Sequence, residues 1–130
     1  MDQQPIEMIL LRQWAELMAS SVWLMDAAGD LVYYNEPAEE ILGLRFNEAG
    51  AIHADELVDA FHTTQLDGTP VDTAGLPVVM ALTKLVPSHA PLRIRNRAGE
   101  WREIEVTALP LIASDGRHLG AIAIFWEVGE

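Results

Sequence analysis

Alternation of apolar and polar residues is clearest in the last third of the chain, where Pro91 to Glu127 reads as three strands joined by two hairpins. Leu92-Arg93-Ile94-Arg95 alternates, and Asn96-Arg97-Ala98-Gly99 supplies a turn. From Trp101 to Leu109, Ile104, Val106 and Ala108 fall on one face while Glu103, Glu105 and Thr107 fall on the other. Pro110 marks the end of that ladder, because it has no N–H to donate. After the turn Ser114-Asp115-Gly116, the run Leu119 to Trp126 is apolar on both sides. Such a strand must be covered on both sides.

The first half mixes a helical period with a short hairpin. Pro5 to Ser20 predicts a helix, with Arg12 and Glu16 an i,i+4 pair. Ile6, Met8, Leu10, Leu11, Trp14, Ala15, Leu17 and Met18 spread over an arc of about 200° at the helical repeat. A single core contact needs an apolar stripe little over about 100° wide, so this helix is expected to touch two surfaces. Val22-Trp23-Leu24-Met25 and Leu31-Val32-Tyr33-Tyr34 read as strands around the turn Asp26-Ala27-Ala28-Gly29. Asn35 is a suitable N-cap, Pro37 fits a first turn, and Gly43 stops the helix between them. Further helical segments are expected from His53 or Asp55 to Phe61, and from Asp72 or Thr73 to a point before Pro87.

Composition narrows the class. With 130 residues and 50% hydrophobic side chains, the chain can bury one core, read as an N-terminal amphipathic helix (1–20) and a domain (21–130). A net charge of −12 argues against nucleic acid and against an anionic membrane surface. The absence of cysteine excludes disulfides, thiolate nucleophiles, Cys-ligated metals and cysteinyl adducts. Asp2 and Glu7 stand where a signal peptide would be basic, and no apolar run reaches spanning length, so a cytoplasmic setting is expected.

The segment Leu24-Met25-Asp26-Ala27-Ala28-Gly29-Asp30-Leu31-Val32-Tyr33-Tyr34-Asn35, leading into Ala38-Glu39-Glu40-Ile41-Leu42-Gly43, resembles a PAS domain. Asp67-Gly68-Thr69-Pro70, Leu76-Pro77, Arg97-Ala98-Gly99-Glu100-Trp101, Ala108-Leu109-Pro110-Leu111 and Gly120-Ala121-Ile122-Ala123-Ile124 agree in order. The resemblance covers about Val22 to Val128. It implies an α+β fold: a five-stranded antiparallel sheet with short helices on one face, and the N-terminal helix on the outer face or on a dimer partner. PAS domains are sensor and dimerisation modules, and many bind haem, flavin or another small molecule. Signalling members often end in an Asp-Ile-Thr-like motif. Here Glu127-Val128-Gly129 occupies that place, compatible with a stand-alone sensor or with a piece of a longer chain.

By the same resemblance, the pocket is lined by Trp23, Met25, Tyr33, Ile41, Phe61, Met80, Ile94, Ile104, Val106, Ala108, Ala121, Ala123 and Phe125. The opposite sheet face carries Ile122, Ile124 and Trp126, which with Leu10, Trp14, Leu17 and Met18 form the expected homodimer interface. The apolar, Met-containing lining suits an uncharged or amphipathic organic ligand. It reads equally as an ordinary close-packed core.

Cofactor chemistry finds little support. His53, Glu56, Asp59 and His62 recur every third residue, but steps of three drift by roughly 60° each and cannot converge on one ion. Haem-binding PAS domains carry a proximal His on the helix before the last three strands. That segment, about Val71 to Val86, has none, leaving only His62 and His89 nearby. The cysteine of light-sensing flavin domains is missing, and Phe125 stands where they commonly present glutamine. No catalytic motif appears, and Ser20, Ser21, Ser88 and Ser114 lie in terminal or turn contexts. The expected function is therefore a non-enzymatic PAS-type sensory module that homodimerises, binds a small molecule and signals to an unidentified partner protein. The alternatives are a ligand-free interaction domain and, from a different class, a haem redox or gas sensor.

Overall fold

A computed structural model describes residues 5–128. Helix α1 (Ile6–Ala15) leads into a hairpin of β1 (Ser21–Asp26) and β2 (Leu31–Tyr34), then α2 (Glu36–Leu42) and α3 (Phe46–Ala49). A 3-10 turn (Ala54–Glu56) precedes α4 (Leu57–Phe61), and another (Thr73–Gly75) precedes α5 (Pro77–Lys84). Three long strands close the chain: β3 (Ser88–Arg95), β4 (Trp101–Ile112) and β5 (His118–Glu127). They form one sheet in the order β2-β1-β5-β4-β3, with every neighbouring pair antiparallel. The last strand thus lies in the middle of the sheet beside the first.

Because strand side chains alternate, β1 and β5 each serve two apolar layers. Trp23, Met25, Ala121, Ala123 and Phe125 join Ile104, Val106 and Ala108 in an inner layer beneath α2, α4 and α5. Val22, Leu24, Leu119 and Ile122 join Met8 and Ala15 of α1 in an outer layer, with Leu11, Met18 and Ile124 packed against it. The inward positions that the resemblance implies for Trp23, Met25, Ala121, Ala123 and Phe125 lie in the inner layer. Ile122, expected at a dimer interface, is only 5% exposed because α1 of the same chain shares its layer.

Two asparagines fasten these layers. Asn35 caps α2 by accepting from the Ala38 N–H at 3.3 Å, and its Oδ1 also accepts from the Val22 N–H at 3.0 Å. Its Nδ2 donates to the carbonyls of Ala15 (3.0 Å) and Ser20 (2.8 Å). One buried amide therefore joins the end of α1, the start of β1 and the start of α2. Asn96 organises the β3–β4 turn by accepting from the Ala98 and Glu100 N–H groups. That turn docks on the end of α2, where the Arg97 N–H donates to the Leu42 carbonyl. Gly43, in the left-handed region at φ 68, leaves room there, because a Cβ would sit 3.2 Å from the backbone nitrogens of Arg97 and Ala98.

Strands β3 and β4 are longer than their alternation predicts. β3 begins at Ser88 and is the last strand on its side of the sheet, with Pro91 on that outer edge. Arg93 exchanges both backbone hydrogen bonds with Thr64 on that edge, so Pro91, two residues away, turns its nitrogen to the same side. β4 continues through Pro110, which pairs with Ala121 beyond the last β3 pair at Ala108. Proline is tolerated there because no third strand continues the ladder.

A register shift between Leu24 and Met25 sets the phase of β2, pairing Trp23 with Tyr34 and Met25 with Leu31. Tyr34 consequently belongs to the inner layer and Tyr33 to the outer one. The expectation that Tyr33 faces the pocket is therefore corrected: its neighbour holds that place.

Candidate ligand cavity

The inner layer is not uniformly filled. A cavity of about 90 Å³ lies between the sheet, α4 and the start of α5. Its floor is Trp23 from β1, Leu92 and Ile94 from β3, Ile104 and Val106 from β4, and Ala123 and Phe125 from β5. Leu42, Leu57, Phe61, Thr63, Leu76, Pro77 and Val78 form the opposite wall. The hollow follows from side-chain size across adjacent strands. Ala123 pairs with Trp23, so a single methyl group adjoins one large ring at the cavity floor.

The ring is held by its neighbours. Trp23 stacks on Tyr34 at 5.2 Å between centroids with planes 2° apart, and Phe61 meets it edge-on at 6.3 Å. Tyr34 is fully buried, and its hydroxyl donates to the Leu44 carbonyl at 2.7 Å. Burial first, and the nearby Glu39 carboxylate second, push its pKa up to about 12. No charged side chain lines the cavity. The Trp23 indole Nε1 is the one buried side-chain polar atom without a hydrogen-bond partner among the described residues.

Of the expected lining, Trp23, Phe61, Ile94, Ile104, Val106, Ala123 and Phe125 border the cavity. Met25, Ile41, Ala108 and Ala121 are buried in the same layer away from it. Met80 is not on the wall: α5 buries Pro77, Val78, Val79 and Ala81 and leaves Met80 half-buried. The expected single helix is broken at Leu76, whose extended backbone (ψ 140) resets the helical phase. Leu42, Leu57, Thr63, Leu76, Pro77, Val78 and Leu92 were not anticipated. Apart from Leu92, they lie on short helices and connections, where no long period announces which side faces inward.

The histidines lie elsewhere. His53 caps the first 3-10 turn by accepting from the Asp55 N–H at 3.2 Å, with Glu56 reaching back to complete a capping box. His62 ends α4 in the left-handed region, and His89 meets Glu105 at 2.6 Å on the sheet's outer face. Neither His62 nor His89 borders the cavity.

On the outer face, α1 leaves part of its apolar arc uncovered. Leu10, Trp14 and Leu17 are 57, 49 and 87% exposed, whereas Met18 packs inward. Ile124 is half-buried, and Trp126 remains 46% exposed beyond it. Glu127, at the place of the signalling motif's acid, pairs with Arg102 at 2.8 Å, and Gly129 lies outside the described residues.

No family model and no curated protein matches the sequence. Solved structures do. The chain is similar to a PAS domain from Colwellia psychrerythraea, with 15% identity, a TM-score of 0.66, and 94% of this chain and 97% of that one covered. The PAS domain of nitrogen regulation protein NR(II) from Vibrio parahaemolyticus matches at 16% identity and TM-score 0.63, covering 92 and 98% of the two chains. A Rhodobacter sphaeroides LOV protein matches at 13% identity and TM-score 0.72, covering 96% of this chain and 69% of that one. At such identities the likeness is one of architecture, and it agrees with the strand order and helix placement. The chain has the PAS fold.

Proposed function

We propose that the chain is a PAS-type sensory module that takes a small uncharged molecule into the inner cavity and signals through protein contacts. The observation that carries the reading is the sharing of β1 and β5 by both layers. Trp23 and Ala123 border the cavity, while the adjacent Val22, Leu24 and Ile122 support α1. A molecule that shifts Trp23 or Ala123 moves the strands on which α1 rests. Asn35 couples the same strand to the last turn of α1 through Val22 and Ala15. The module is non-catalytic, works in the cytoplasm, and passes the signal to a partner protein.

Homodimerisation belongs to the same reading. Ile6, Leu10, Trp14 and Leu17 of α1, with Trp126 at the end of β5, present an apolar surface that a second copy would cover. Sedimentation at high concentration should give a dimer, and Leu10→Glu with Trp14→Glu should give a folded monomer. A wild-type monomer under those conditions removes dimerisation from the reading.

The cavity's modest size favours a second reading, an interaction module without a physiological ligand. Thermal shift against small neutral organic compounds separates the two. A bound compound raises the melting temperature by mass action, and Leu at position 123 should abolish the rise. No rise for any compound leaves the interaction module.

A further inference from the structure

We infer that the β3–β4 turn is a docking site for a partner protein, which presents a carboxylate-rich segment to Arg95, Arg97 and His62. The inference rests on the protein-contact part of the reading above and supplies the partner's chemistry. In a chain of net charge −12, four of the eight Lys and Arg residues fall between positions 93 and 102, with Glu100 the single acid among them. Arg102 meets Glu100 and Glu127, and Arg117, at the other end of β4, meets Glu7 and Asp115. Arg93, Arg95 and Arg97 lie within 4.0 Å of no carboxylate among the described residues.

These three guanidinium groups are held in place with donors to spare. Arg93 stands 4.0 Å and Arg95 5.9 Å over the exposed Trp101 ring, and Arg97 stands 5.9 Å over Phe61. Stacking occupies the face of a guanidinium and leaves its in-plane N–H groups free for a carboxylate. In Arg93 and Arg95 only Nε is hydrogen-bonded, to Thr64 Oγ1 and to the Gly99 carbonyl, among the described residues. Arg95 and Arg97 share an open hollow of about 400 Å³ with His62 and Asn96, and Asp59 is the one carboxylate on its wall. The acidic remainder of the surface repels an acidic segment and steers it to this end of the molecule. The turn is also fastened to the cavity wall, because the Arg97 N–H donates to the carbonyl of Leu42, which lines the cavity as Phe61 does. A partner seated there rests against α2 and α4, the helices that a cavity ligand also meets.

The test titrates the full chain with acetyl-hexaglutamate amide at low salt and follows backbone and arginine Nε–H signals by NMR. Saturable shifts should centre on His62 and residues 93–102, and should shrink as salt is added. Arg95→Gln with Arg97→Gln should weaken the peptide by about tenfold, the order expected of two exposed ion pairs. Lys84→Gln with Arg117→Gln removes the same charge at the other end of the long strands and should change the affinity far less. Absent shifts, shifts centred elsewhere, or equal losses in the two double variants overturn the proposal. Inorganic phosphate that moves the same signals with equal affinity also overturns it, since the site would then take a small anion and not a protein segment. If the Arg95 and Arg97 double variant does not fold, the position of the wild-type shifts decides. No cavity ligand and no dimer variant enters the measurement, so the docking site can fail while the thermal-shift and sedimentation readings stand, and the reverse.

Discussion

Strands β1 and β5 build two apolar layers from alternate residues, and the layers are filled in opposite ways. On the outer side the strands contribute Val22, Leu24, Leu119 and Ile122, and one helix, α1, lays Met8, Leu11 and Ala15 on them. On the inner side the strands set Ala108, Ala121 and Ala123 among Trp23, Met25 and Phe125, and short, interrupted helices cover them. One continuous helix can lie flush on a row of branched side chains. Several short pieces over a row of methyl groups leave space, and the space falls where Ala123 adjoins Trp23.

The most damaging test strikes both layers at once. Gly120 sits at φ 145, and a Cβ there would overlap the Met25 carbonyl oxygen across the β1–β5 pair. Gly120→Ala must therefore force β5 away from β1, costing at least about 3 kcal/mol, read by urea denaturation. A variant as stable as the wild type would mean that the two strands do not approach so closely.

A matched pair of core substitutions then separates the layers. Leu24→Ala deletes a fully buried side chain from the outer layer and should cost about 2–5 kcal/mol. Ala123→Leu adds a similar volume to the inner layer and should cost less than about 1 kcal/mol, because the added carbons enter the cavity. A cost of about 1–3 kcal/mol, the usual penalty for overpacking, would show that the inner layer is as full as the outer one.

How far the sequence announced this arrangement depends on the distance over which each feature is specified. The faces of β4 are legible because its alternation is local and the strand is long enough to repeat it, whereas β5, apolar on both sides, takes its phase only from the resemblance. The choice between Tyr33 and Tyr34 is not legible, since identical neighbours carry no pattern and the phase is set by the extra residue Val32 in their own strand. Met80 misleads for a related reason: a helix assumed continuous from Thr73 has a different inward face from one that restarts at Pro77. Asn35 is recognisable as a cap, but its bonds to Val22, Ala15 and Ser20 join segments 13 to 20 residues away. Local chemistry names the cap and tertiary structure adds the clasp.

That clasp yields the next prediction. A cap alone is worth about 1 kcal/mol, whereas Asn35→Ala also strands the buried Val22 N–H and removes a donor from the Ala15 and Ser20 carbonyls. The expected cost is about 2–3 kcal/mol, with the α1 amides losing hydrogen-exchange protection before those of β4. A cost of about 1 kcal/mol with unchanged α1 protection would reduce Asn35 to its cap and uncouple the outer layer from α2.

The smallest effect uses the chain's two tyrosines as reporters, since Tyr34 belongs to the inner layer and Tyr33 to the outer. Burial raises both pKa values, that of Tyr34 to about 12. At Tyr33 the Glu16 carboxylate adds to the rise, while the Arg12 guanidinium, 4.7 Å above the ring, opposes it. A phenol is neutral below its pKa, so a raised folded-state value means that folding favours the protonated form. This contribution is fully present below pH 10 and is lost as the pH climbs from 10 through 12. For Tyr34 the loss should reach about 2 kcal/mol at pH 12, and Tyr34→Phe should flatten that part of the stability–pH curve. Absorbance titration at the tyrosinate band, with each Phe variant isolating the other residue, should show Tyr34 ionising last. Ionisation of Tyr34 near pH 10 in the folded protein would mean that water reaches the inner layer, and the contrast between the two faces would fail at its most buried ring.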